Sequence, residues 1–138
     1  MAFEWLAVQP YELMWQKMKQ HAALLAADKV DEVIWACEHE PVYTTGKRAI
    51  DNRLGDKLPA PLLVSDRGGE TTFHGHGQVM LYPMIHLRRR GLTVRQYIYL
   101  LEESAIQTLS EYGIKTERRC GLPGVWTNKG KIVAMGIR

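Results

Sequence analysis

A chain of 138 residues with 46% hydrophobic and 24% charged residues has the size and balance of one domain with a buried core, which excludes disorder. A net charge of +3 is small for a nucleic-acid binder, and two cysteines, Cys37 and Cys120, build neither a disulfide framework nor a paired metal site. The start of the chain has no basic stretch followed by an apolar one, and the Ala/Leu run 22–27 falls short of the roughly 20 apolar residues that cross a bilayer, so the protein is expected in the cytoplasm, away from membranes.

Phe3 to Val8 reads as a strand, and Pro10 opens a helix. Tyr11, Met14, Trp15, Met18, Ala22 and Leu25 recur at helical spacing and predict one core-facing stripe. Glu32 to Cys37 is a short apolar run that predicts a buried strand. Pro41 to Arg48 reads as irregular, with a turn at Gly46, and residues 49–61 as a polar connection. Leu62 to Val64 predicts a strand that runs into Arg67-Gly68-Gly69. Glu70 to His74 and Val79 to Ile85 read as two paired strands joined by His74-Gly75-His76-Gly77.

A second helix starts at Thr93, where Thr93 and Gln96 form a capping box. Val94, Tyr97, Ile98, Leu101, Ala105, Leu109 and Tyr112 make its stripe, and Gly113 ends it. Strands follow at Ile114 to Arg118 and Gly124 to Thr127. The turn Asn128-Lys129-Gly130 then delivers Lys131 at the head of a last strand, 131–138. Strands in the middle with two flanking helices give an α+β fold, a mixed sheet covered by helices, over one domain, 1–138.

Several groups carry chemical potential. Paired glycines beside Arg67 let backbone approach a ligand closely and expose N–H donors, although a plain turn has the same composition. His74 and His76, two apart on a strand, would share a face and could bind a metal, but no further ligand completes the three or four a site needs, so no metal is expected. Lys131 would stabilise a neighbouring thiolate; otherwise it is an exposed hairpin lysine. Cys37, in its apolar run, reads as an inert core residue. Cys120 has positive neighbours but no adjacent histidine base. Arg88-Arg89-Arg90 and Arg118-Arg119 suit a solvated surface or a dock for an acidic protein, and no aromatic side chains interleave them for nucleic acid.

The order of these pieces resembles the lipoyl(octanoyl) transferases, the octanoyl-carrier-protein:protein octanoyltransferases. The resemblance rests on Glu38 to Gly46, on the segment from Arg67 to Gln78 followed by Tyr82-Pro83, on Pro123-Gly124-Val125-Trp126, and on Lys131 to Gly136. It implies a fold like that of biotin and lipoate protein ligases, and transfer of octanoate from acyl carrier protein to a lipoyl-domain lysine through a cysteine thioester. The implied partners are octanoyl-acyl carrier protein, the lipoyl domains of 2-oxoacid dehydrogenase complexes and the glycine cleavage H protein. A thioester donor is already activated, so no cofactor is implied.

By the same resemblance, Arg67, Gly68, Gly69, Glu70, Thr71, Thr72, Phe73 and His74 line the acyl-substrate pocket, with Ala134, Met135 and Gly136 as a second lining segment. Lys131 is the lysine that lowers the pKa of the nucleophilic cysteine. His76 stands where the family has proline, which predicts a looser loop. The family's cysteine lies downstream of the lysine, and neither Cys37 nor Cys120 matches it. The expectation is therefore a domain whose C-terminal part is missing and which is inactive as it stands. Two other readings are an ATP-dependent lipoate or biotin protein ligase, and a non-catalytic module that binds acyl chains or carrier protein.

Overall fold

Apolar strand residues and one amphipathic helix build the first of two compact units, Met1–His86; the second is Leu87–Ile137. The computed structural model of the protein describes residues 1–46, 58–66 and 70–137. Each unit is an α+β arrangement of short sheets and one helix.

In the first unit, β1 (Ala2–Gln9) runs parallel to β2 (Val33–His39), and β2 pairs antiparallel with β6 (Met80–Met84). Parallel neighbours need a long crossover, which α1 (Tyr11–Ala26) supplies. Pro10 caps this helix rather than occupying its first turn. Its carbonyl accepts the Met14 N–H at 3.2 Å, and its own missing N–H is one the helix start does not need. Met14 packs on Val33, Trp35 and Cys37, with Leu6, Met18, Met80, Tyr82 and Met84 around them. Tyr11, Met14 and Leu25 of the predicted stripe are buried; Ala22 is exposed, and His21 takes the place beside the sheet, 4.9 Å from the Trp35 ring.

On the other face of this sheet, Phe3, Ile34 and Pro83 form one cross-strand row and Trp5, Ala36 and Leu81 the next. Phe3, Trp5 and Leu81 in these rows are more than half exposed. β1 carries one extra residue between Trp5 and Val8, where Ala7 adopts φ 55°. That bulge re-aims the end of β1 at the end of β2.

A second sheet in the same unit has β3 (Val42–Gly46) at its centre, parallel to β4 (Leu62–Ser65) and antiparallel to β5 (Thr72–His74). Two expectations change here. Residues 42–46 are a strand rather than an irregular stretch, and four of the five are buried. β5 and β6 do not pair with each other: β5 joins β3 and β6 joins β2, so 75–79 is a crossing between sheets and not a hairpin loop. Of the expected polar connection, residues 49–57 lie outside the described residues.

In the second unit, α2 (Val94–Glu111) packs on the antiparallel sheet β7 (Glu117–Arg119), β8 (Leu122–Thr127) and β9 (Gly130–Val133). Its capping box is complete. Thr93 Oγ1 accepts the Gln96 N–H at 3.2 Å, and Gln96 Oε1 accepts the Thr93 N–H at 2.9 Å. Gly113 follows the helix at φ 73°, the left-handed geometry that glycine adopts without penalty. Val125 is the fully buried centre of this unit's sheet. The last strand ends at Val133, and residues 134–137 leave the sheet, against the expected strand 131–138.

Candidate functional site

Arg67, Gly68 and Gly69 lie outside the described residues, but both flanks of that segment are fixed. On one side, Trp15 Nε1 of α1 donates to Asp66 Oδ1 at 2.9 Å. On the other, Thr71 Oγ1 donates to Thr45 Oγ1 at 3.1 Å. Beneath the flanks lie buried hydroxyls. Thr44, Thr45 and Ser65 are each at most 1% exposed. Consecutive side chains on a strand alternate faces, so Thr44 meets His74 on one face of this sheet while Thr45 meets Thr71 on the other.

Thr71, Thr72, Phe73 and His74 stay together on β5 and the residue before it, as the sequence predicts, with Glu70 exposed just ahead of them. Thr72 Oγ1 donates to the Glu70 carbonyl at 3.4 Å. The Phe73 ring is about half exposed and packs on Tyr43 at 5.0 Å between centroids. His74 is 6% exposed. Its Nδ1 donates to the Gln78 amide oxygen at 2.9 Å, which leaves Nε2 to accept from the Thr44 hydroxyl at 3.0 Å. Tyr11 stacks on the His74 ring, with centroids 5.6 Å apart.

His76 does not share this environment. It sits exposed in the turn after β5, so the two histidines present no common face. Among the described residues no group of three or more His, Cys, Asp or Glu side chains could hold a metal ion. The turn itself is tied rather than loose: Glu38 Oε2 accepts the Gly77 N–H at 2.8 Å, and the Gln78 N–H meets the Gly75 carbonyl at 3.2 Å.

A second histidine lies beside the first. His39 is 0% exposed, and its Nδ1 faces the Gln9 carbonyl at 2.8 Å. A carbonyl only accepts, so Nδ1 carries the proton and Nε2 accepts the Tyr82 hydroxyl at 2.7 Å. Burial pushes the His39 pKa below the ordinary histidine range, against the opposing pull of its bond to Gln9. Burial first, then the neighbouring Tyr11 and Cys37, push the Tyr82 phenol up. His39 is thus a neutral brace between β1, β2 and β6. Its fit depends on the bulge at Ala7, which brings the Gln9 carbonyl to the ring. Sequence reasoning missed it, together with Thr44 and Thr45, although all three fall inside the motif from Glu38 to Gly46.

Both cysteines have defined places. Cys37 is 0% exposed in the core and burial pushes its thiol pKa up, so it is the inert core residue expected. Cys120 is exposed in the turn between β7 and β8.

Lys131 stands on β9 opposite Trp126 of β8, with Nζ 4.8 Å from the centre of the indole ring. Its stem runs beside Gly124: a β-carbon added there would meet Lys131 Cδ and Cε at 3.4 Å. Gly124 has φ 116° and its N–H donates to Glu102 Oε1 at 3.0 Å. Glu102 is the only α2 residue in the most buried class, at 8% exposed, while Val94 and Tyr112 of the expected stripe are exposed. Its other oxygen accepts from Arg118 Nε at 3.1 Å, so the buried carboxylate is satisfied on both sides. Ala134, Met135 and Gly136 follow β9, with Met135 half-buried between two exposed residues. Met80, by contrast, packs into the core of the first unit.

The chain belongs to the lipoyl protein ligase A/B catalytic domain family, whose model matches residues 10–138 and so runs through both units. Its relatives include the octanoyltransferase of Xylella fastidiosa, 41% identical over 96% of this chain and 58% of that protein. The octanoyltransferase of Aromatoleum aromaticum is 43% identical over 93% of this chain and 55% of its own, and that of Klebsiella pneumoniae 40% over 96% and 62%. The chain thus spans between about half and two thirds of the length of these curated relatives.

Proposed function

We propose that this chain carries the acyl-handling part of an octanoyltransferase, which moves an octanoyl group from octanoyl-acyl carrier protein to a lysine of a lipoyl domain. The observation that carries the reading is the 40–43% identity to octanoyltransferases over nearly the whole chain. In this reading the two units act as one catalytic domain, 1–138, in the cytoplasm. On the same reading, Arg67 to His74 are an acyl-binding segment, Ala134 to Gly136 are a second one, and backbone N–H groups near the glycines serve the developing oxyanion.

The chemistry balances without a cofactor. A cysteine thiolate attacks the octanoyl carbonyl, and the carrier's thiolate leaves and takes a proton. The target lysine's amine then attacks the new thioester, loses a proton, forms the amide and releases the cysteine. Lys131 favours the thiolate: at about 4 Å the Coulomb term is of order 4 kcal/mol at a surface-like dielectric. The buried Cys37 is unsuited to that role, and the reading assigns it to a cysteine downstream of Lys131. The acceptors are the lipoyl domains of 2-oxoacid dehydrogenase complexes and the glycine cleavage H protein.

The test is octanoylation of an apo lipoyl domain by octanoyl-acyl carrier protein, followed by mass spectrometry. It uses this chain and a longer form that carries a cysteine downstream of Lys131. Turnover is expected from the longer form, and Lys131→Ala should lower it on the order of 100-fold or more, as a Coulomb term of a few kcal/mol implies. A folded longer form that stays inert, or one indifferent to Lys131→Ala, refutes the reading. The family model is also named for ligases; adenylate formed from free octanoate or lipoate and ATP would decide for that reading instead.

A further inference from the structure

We infer that Glu102, Gly124 and Trp126 are positioning residues that together fix the direction of the Lys131 ammonium. The inference rests on the proposed role of Lys131 in activating a thiolate, and its geometry lies wholly within the second unit. A lysine stem has four rotatable bonds, and an unconstrained hairpin lysine spreads its charge over a wide volume. Here three features narrow that volume.

Gly124 and Trp126 are two apart on β8 and so share a face of the strand, and Lys131 pairs with Trp126 across the hairpin. The missing side chain of Gly124 leaves a lane along which the Lys131 stem lies, with Cδ and Cε 3.4 Å from where a β-carbon would sit. Beyond the lane the ammonium ends over the Trp126 ring, whose negative face attracts it. That ring is itself held, because its Nε1 donates to the Leu122 carbonyl at 3.2 Å.

The backbone that makes the lane is unusual. At φ 116° Gly124 lies outside the range of ordinary residues, and a β-carbon there would run into the Val133 carbonyl oxygen of β9. The register of β8 and β9 slips by one residue between Val125 and Trp126, next to this close approach. Glu102 holds the arrangement from the helix side. Its buried carboxylate accepts the Gly124 N–H, two residues from the register slip, and Arg118 balances its charge. A buried carboxylate on an otherwise apolar helix stripe is costly to keep as packing alone. Its placement makes sense if the backbone at Gly124 has to be held.

Nuclear magnetic resonance on this chain tests the geometry without any reaction. The Lys131 methylene protons near the Trp126 ring should resonate upfield. Gly124→Ala and Glu102→Ala should abolish that shift. Glu102→Gln, whose amide oxygen still accepts the Gly124 N–H, should keep it. Because the first two variants also endanger folding, Trp126→Phe and Trp126→Leu form an independent pair: the ring of the first keeps the shift, the second loses it.

In the cysteine-bearing longer form, transfer activity should follow the same order, falling about 100-fold where the ammonium is misplaced and recovering with Glu102→Gln. An unchanged shift in folded Glu102→Ala or Gly124→Ala overturns the positioning role. If the shifts follow the predicted order but Lys131→Ala leaves transfer intact, what fails is the role of Lys131 in transfer, and with it the functional half of the inference.

Discussion

His39 shows how one buried side chain couples stability to pH. Burial lowers its pKa in the folded chain below the ordinary 6.5, so as pH falls the unfolded chain takes up the proton first. The stability this histidine contributes is complete above about pH 6.5 and is lost as pH falls toward its folded pKa. Urea midpoints at about pH 7.5 and pH 5 should therefore differ, and His39→Gln should flatten the difference. Met14, 2% exposed among β2 side chains, tests packing instead: Met14→Ala should cost about 2–5 kcal/mol in the same measurement. Residue types alone made Cys37 and Met14 legible, since an apolar side chain in an apolar run has one sensible place. They did not reveal Glu102 or His39. Each is a polar group whose burial is tolerable only because distant backbone meets it, the Gly124 N–H for one and the Gln9 carbonyl for the other.

Elements with local signals were the easiest to read. The capping box at Thr93 and Gln96 writes the start of α2 into four consecutive residues, and the turn 128–130 writes the β8–β9 hairpin. Thr93→Ala removes one half of the box and should destabilise the second unit by about 1 kcal/mol, read from thermal unfolding. β3 escaped because it is a strand of only five residues, preceded by Pro41 and ending in Gly46, whose threonines look like loop composition. The pairing of β5 also escaped. A short glycine-rich link between two strands suggests a hairpin, and nothing local says that each strand has a better partner in another sheet. Those non-local pairings set His74 beside Thr44 and Tyr82 beside His39.

At the scale of the whole molecule, one family model runs across two compact units, and Arg67 to His74 belong to the first while Lys131 to Gly136 belong to the second. The first unit's sheet also leaves Phe3, Trp5 and Leu81 in solvent on one face. Contiguous exposed apolar rows promote self-association. Light scattering should show association rising with concentration, and Trp5→Ser should reduce it with little change in unfolding midpoint. The two cysteines differ just as sharply in access, and that makes the chain its own unfolding clock. A thiol dye should enter one equivalent per native molecule, at Cys120 in the second unit. The second equivalent enters only when the core around Cys37 opens. One labelling time course in denaturant thus times the opening of the first unit, with the dye already on the second as an internal standard.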